Sequence, residues 1–75
     1  MVSAYVLIVV KPGTESKIAE KMVGMKEVKD VSVVYGEYDI IAKIEVENMD
    51  KLQEFVINLR KNTDIERTPT MIAVK

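Results

Sequence analysis

The sequence predicts an α+β domain with the element order βαββαβ. Three observations predict it. Four runs are rich in β-branched and aromatic residues, as strands are. Two segments between them carry apolar residues at helical spacing. Only Gly36-Glu37-Tyr38-Asp39 separates the second run from the third, a spacing that makes the pair a hairpin.

The first strand is Val2 to Val10, and it ends at Lys11-Pro12-Gly13. Ala4, Val6, Ile8 and Val10 form one apolar face; Tyr5, Leu7 and Val9 form another. A strand with one wet face would alternate apolar and polar residues, so this strand is expected at the centre of a sheet covered on both sides. Thr14 is placed to cap the first helix, and Glu15 suits its positive end. Ile18, Ala19, Met22 and Val23 form its inward stripe, Lys17, Glu20 and Lys21 its wet face, and Gly24 its stop. Val31 to Tyr35 reads as the second strand and Ile40 to Val46 as the third, with Ile40, Ala42, Ile44 and Val46 inward and Lys43 and Glu45 outward. Asn48 caps the second helix, with Asp50 in its first turn; Leu52, Phe55, Val56 and Leu59 form its stripe, and Arg60 and Lys61 suit its negative end. Met71 to Val74 is the last strand, entered through Arg67-Thr68-Pro69-Thr70; the proline favours a sheet edge or a strand start. Met22, Met25, Met49 and Met71 read as adaptable core filler.

Each βαβ half crosses over with the right-handed sense, which puts both helices on one face of a four-stranded antiparallel sheet. This is the ferredoxin-like arrangement, and residues 1–75 form one such domain. A chain of 75 residues buries only roughly 60% of the surface its unfolded form exposes. Disulfides, metals or oligomerisation usually make up the difference. The chain has no cysteine and no histidine, which excludes a disulfide framework and the common zinc sets. Oligomerisation remains, and 48% hydrophobic residues supply the surface for it. Tyr5, Leu7 and Val9 point to the place: a homodimer that covers the open sheet face with a second sheet.

Eleven basic against twelve acidic residues give a net charge of −1, with no basic run longer than Arg60-Lys61. Nucleic-acid affinity comes largely from neutralised phosphates, so no direct nucleic-acid partner is expected. No stretch approaches the about 18 consecutive apolar residues of a membrane span. Val2 to Val10 lacks the basic flank and cleavage site of a signal peptide, and the expected location is the cytoplasm. Without His or Cys, a nucleophilic triad or an imidazole base is impossible, and no catalytic residue, metal ligand or cofactor is assigned. Gly13, Gly24 and Gly36 are isolated and form no phosphate cradle. Lys17, near the start of the first helix, could meet an anion or simply belong to a solvated face.

Two places invite a ligand. Gly36 is the residue expected where the backbone takes a positive φ, and N–H groups around such a turn can converge on a carboxylate. Asp39 can accept from an ammonium group, so the loop could hold both ends of an amino acid. Equally, Gly36 could only make the turn and Asp39 only satisfy backbone N–H groups within it. Thr68 and Thr70, spaced by two, could present two hydroxyls to a small polar ligand, or serve as ordinary strand residues.

The run Val33-Val34-Tyr35-Gly36-Glu37-Tyr38-Asp39-Ile40-Ile41-Ala42-Lys43 resembles the hairpin of the effector-binding (RAM) domain of Lrp/AsnC transcription regulators. The ending Ile65-Glu66-Arg67-Thr68-Pro69-Thr70-Met71-Ile72 is similar to that family's last strand, and Lys26-Glu27-Val28 fits as well. The resemblance covers essentially the whole chain. It implies sheet-to-sheet dimers, a dimeric α/β barrel, assembled into rings that are commonly octamers. It implies a small effector, usually an amino acid, at the contact between dimers. By position, Gly36, Glu37, Tyr38 and Asp39 would supply backbone and carboxylate contacts, Thr68 and Thr70 would line the same pocket, and Tyr35 would be a neighbour. The first strand leaves no room for the family's helix-turn-helix domain, so the chain is similar to stand-alone members, which would act with full-length Lrp/AsnC relatives rather than bind DNA themselves. Two alternatives share the frame: a small dimeric α/β-barrel enzyme of the monooxygenase or isomerase type, and an ACT-like regulatory domain.

Overall fold

Strand β1 (Val2–Val10) takes the central place that its two apolar faces demand. In the computed structural model, which describes residues 1–74, the chain continues through α1 (Glu15–Val23), β2 (Val28–Val33), β3 (Ile40–Val46), α2 (Met49–Leu59), β4 (Ile65–Arg67) and β5 (Thr70–Ala73). The sheet is antiparallel with the order β2-β3-β1-β4, and β5 also pairs with β1. The β1–β3 ladder is regular from Val2↔Val46 to Ile8↔Ile40. That register places Ala4, Val6 and Ile8 beside Ile44, Ala42 and Ile40, all fully buried. Ile18 and Met22 from α1 and Leu52, Phe55 and Leu59 from α2 join the same cluster, so both helices cover one face.

The sheet is four positions wide, as a ferredoxin-like domain requires, but its last position is filled by two strands. The expected single strand, Met71 to Val74, is instead β4 and β5 with Thr68 and Pro69 between them. Proline has no N–H to give the ladder and fixes its own φ, so the edge breaks there. Contact with β1 persists across the break, because Leu7 N–H donates to Pro69 O at 2.8 Å. The β1–β4 register is irregular between Val9 and Val10.

The second strand begins and ends earlier than its composition suggests: Val28–Val33 rather than Val31 to Tyr35. Val28 pairs with Ile44 and packs on the core, whereas Tyr35 is fully exposed. The connection to β3 accordingly spans residues 34–39 and is closed by Val34 N–H on Asp39 O at 2.8 Å.

The two helix starts differ. Asn48 is extended and its Oδ1 accepts from Lys51 N–H at 2.9 Å, a true cap. Thr14 caps nothing with its side chain; its hydroxyl donates backwards to Lys11 O at 2.7 Å, while Glu15 Oε1 takes Gly13 N–H at 2.8 Å. Gly24 ends α1 in the right-handed region, so it is not used for left-handed freedom. Val23 is 70% exposed and leaves the inward stripe to Ile18 and Met22, flanked by Ala19. Met22 is buried and Met25 packs on the core, but Met49 and Met71 are about half exposed and fill nothing within one chain. Lys17 pairs with the Asp64 carboxylate at 3.0 Å, which gives it an acidic partner within the chain.

Ile8→Ala should cost about 3 kcal/mol and Ile8→Val about 1 kcal/mol, because Ile8 has no accessible surface and its neighbours cannot follow the lost methyls. Urea denaturation followed by far-UV circular dichroism gives both values. In the same assay Asn48→Ala should cost about 1 kcal/mol and Thr14→Ala markedly less, since only Asn48 satisfies a helix N–H.

Candidate functional site

Both segments singled out in the sequence gather around the C-terminal half of β1. On one side, the β1–β3 ladder ends at Ile8↔Ile40, and the loop 34–39 starts where that pairing stops. On the other side, Val6 faces Thr70, Leu7 bonds to Pro69, and Val9 faces Arg67. The loop and the threonine segment therefore flank the same stretch of β1, one strand apart on either side, a separation of about 10 Å. They share an end of the sheet but do not touch through β1.

Within the loop, Gly36 has φ +132°, a conformation that side-chain-bearing residues rarely adopt. It lets the chain reverse before Asp39 re-enters the sheet. Tyr35, Gly36 and Glu37 are exposed; Tyr38 and Asp39 are half-buried. Among the described residues, the N–H groups of Gly36, Glu37 and Tyr38 donate to no protein acceptor. Three donors without a protein acceptor in one loop suit an anion such as a carboxylate.

Asp39 is tied down more firmly. Its N–H donates to Ile8 O at 2.9 Å, its carbonyl accepts from Val34, and its Oδ2 accepts Val10 N–H at 2.9 Å. One carboxylate oxygen is thus engaged by the fold itself. Of the threonines, Thr68 is half-buried and Thr70 exposed, and the Thr70 hydroxyl donates to Thr68 O at 3.1 Å.

Among the described residues, none of the three best-formed clefts is lined by Gly36, Glu37, Tyr38, Asp39, Thr68 or Thr70. One of them, of about 620 Å³, opens at the opposite end of the sheet, where Met25, Val46, Phe55 and Leu59 line it together with Lys26, Glu27, Glu47 and Lys51. Nothing in the sequence singled that cleft out, because its walls come from four separate stretches of chain. Val10 N–H was equally invisible, since a backbone donor leaves no mark on composition. Among the described residues no group of three His, Cys, Asp or Glu side chains is placed to hold a metal.

An added Cβ at Gly36 would meet nothing within 4 Å, so Gly36→Ala tests backbone strain alone. It should destabilise the fold by about 1–2 kcal/mol. Gly24→Ala, in right-handed backbone with only ordinary contact to Lys21 O, should be neutral or stabilise by up to about 1 kcal/mol. Thermal denaturation of the two variants, side by side, checks the contrast.

Residues 3–75 match the family model described as the Lrp/AsnC ligand binding domain. The chain is 36% identical over 72 residues to the HTH-type transcriptional regulator FL11 of Pyrococcus furiosus, covering 96% of this chain and 48% of that protein. It thus spans about half the length of the curated relatives it matches. The crystal structure of FFRP-DM1 superposes with a TM-score of 0.95 at 44% identity, covering 99% of this chain and 100% of that one. The hypothetical protein PHS023 from Pyrococcus horikoshii gives 0.93 at 43% identity, with 100% and 92% covered. Fold, sequence and the hairpin at Gly36 agree: this chain belongs to the Lrp/AsnC ligand-binding domain family.

Proposed function

We propose that this chain is an oligomeric effector-binding domain acting in the regulation of transcription, and that its effector is an amino acid held at a contact between dimers. One observation carries the reading. The candidate residues lie at one end of the sheet, in two exposed or half-buried segments that flank β1 from opposite sides, beside an apolar sheet face that is also uncovered. Tyr5 and Met71 stand opposite each other on that face, 39% and 54% exposed, with Leu7, Val9 and Ile41 half-buried around them. A second copy laid on this face would bury it and bring a second loop and a second threonine segment into the assembly.

The chemistry on each side suits a zwitterion. The free N–H groups of Gly36, Glu37 and Tyr38 favour a carboxylate, the acidic residues Glu37 and Asp39 favour an ammonium group, and Thr68 and Thr70 add hydroxyls. Rings of dimers up to an octamer, a cytoplasmic location and association with full-length Lrp/AsnC relatives belong to the same proposal. With a net charge of −1, the chain itself is not the DNA-binding part. The reading is also non-enzymatic. What supports it is that the curated relatives are named transcriptional regulators.

Titrating single amino acids against the protein, with melting and native mass spectra as readouts, tests the ligand. An effector present at about 100 times its dissociation constant stabilises the folded form by about 2.7 kcal/mol and should sharpen one oligomeric species. If none of them moves melting or mass, the amino-acid reading is wrong. Leu7→Glu, which places a charge on the open face, should give a folded monomer that no longer responds to effector. A Leu7→Glu protein of unchanged mass would mean that this face is not the dimer contact.

A further inference from the structure

The backbone of β3 leaves the β1 ladder at Asp39, yet the pairing does not end there. Beyond Ile8↔Ile40, the next outward donor of β1 is Val10 N–H, and the Asp39 carboxylate takes the place of the missing main-chain acceptor at 2.9 Å. The same residue holds Ile8 O through its N–H and receives Val34 N–H on its carbonyl. Asp39 thereby fastens the base of the loop at three points, on β1 and on the end of β2. The fastening sits beside the β1 irregularity between Val9 and Val10, where the strand's pairing with β4 shifts. Gly36, three residues away, makes the reversal that only a tethered base can keep in one orientation.

Resting on the effector-binding reading, we propose that Asp39 is a positioning residue of the site and not the group that meets the effector's ammonium. Its carboxylate locks the loop to Val10, and that lock aims the N–H groups of Gly36, Glu37 and Tyr38 away from the sheet. The hydrogen bond needs an acceptor oxygen at this position and does not need its charge. Asparagine keeps the acceptor and removes the charge; alanine removes both.

The experiment compares Asp39→Asn and Asp39→Ala with the wild-type protein by thermal melting, by hydrogen exchange at Val10 and residues 34–38, and by titration with whichever single amino acid stabilises the wild type most. Asp39→Ala should lower the folding equilibrium constant about ten-fold, since hydrogen bonds to charged groups contribute on this order. It should also speed exchange at Val10 and in the loop while leaving the β1–β3 core amides protected relative to global unfolding, and weaken the amino acid about ten-fold or more. Asp39→Asn should return all three readouts to within about three-fold of wild type, a rescue that a direct ionic contact would not allow. An Asn variant that melts like wild type but loses the amino acid as fully as the Ala variant overturns the proposal and makes the carboxylate a direct contact. An Ala variant with unchanged melting and Val10 exchange overturns it as well. If no amino acid binds the wild type, the effector reading falls by itself, and the melting and exchange comparison still decides whether Asp39 is the lock.

Discussion

The rest of the structure follows from one constraint: β1 is apolar on both faces, and the chain has enough material to cover only one. Two helices of modest length, α1 and α2, roof the side formed by Ala4, Val6, Ile8 and Val10. The opposite side, formed by Tyr5, Leu7 and Val9, has no layer of its own. Burying apolar area is worth about 25 cal/mol per Å², and a small domain cannot leave much of it unused. The strand order sharpens the imbalance. β1 sits between β3 and the β4/β5 edge, so the uncovered residues lie in the middle of the sheet, flanked by Ile41 and Met71. A stripe in that position suits a broad flat partner such as a second sheet better than a single docking helix.

Much of this was legible because it depends on periodicity. The centrality of β1, the inward face of β3 from Ile40 to Val46 and the stripe Leu52, Phe55 and Leu59 of α2 are patterns that tertiary packing reinforces. Gly36 was legible for a different reason: few residues tolerate a φ of +132°, so the sequence carries the mark of the geometry. What could not be read was set by partners distant in sequence. Val28 joins β2 because Ile44 lies opposite it, not because its local composition is strand-like. Pro69 signalled an edge, but that the chain stays on β1 across the break between β4 and β5 depends on the bond that Leu7 N–H makes to its carbonyl. Thr14 and Asn48 look equivalent as caps, and only the backbone at each decides which accepts from the helix. Met49 and Met71 look like core filler until the fold places them outside.

The site shows the same division. The sequence proposed the residues, and the fold shows what two of them touch. Lys17 is paired with Asp64 across the chain while its side chain stays largely exposed. Asp39 had been read either as a ligand group or as a turn residue that satisfies backbone donors. The bond from Val10 N–H shows the carboxylate satisfying a backbone donor of β1, outside the turn itself. These properties need not compete, because a binding loop must first be held, and the residue that holds it governs binding without touching the ligand. The cleft of about 620 Å³ beside Lys26 and Lys51 lies at the far end of the sheet from Gly36 and Thr68.

A site assembled from more than one chain has a thermodynamic consequence that a pocket within one chain lacks. On the proposed reading, an effector that binds only the assembled form strengthens assembly by the same factor by which assembly strengthens its binding. Such an effector reports on protein concentration as well as on its own, because both enter one equilibrium. The marginal core of the single chain contributes to this behaviour. With the sheet face uncovered, the lone chain sits low on the stability scale, so a few kcal/mol from contact and ligand make up a large share of the total. Rigid loops raise the coupling further, since a loop already ordered by its own fold does not spend effector binding energy on ordering. Three bonds at Asp39 and a fixed reversal at Gly36 provide such order, which is why the base of this loop matters to the response as much as its tip.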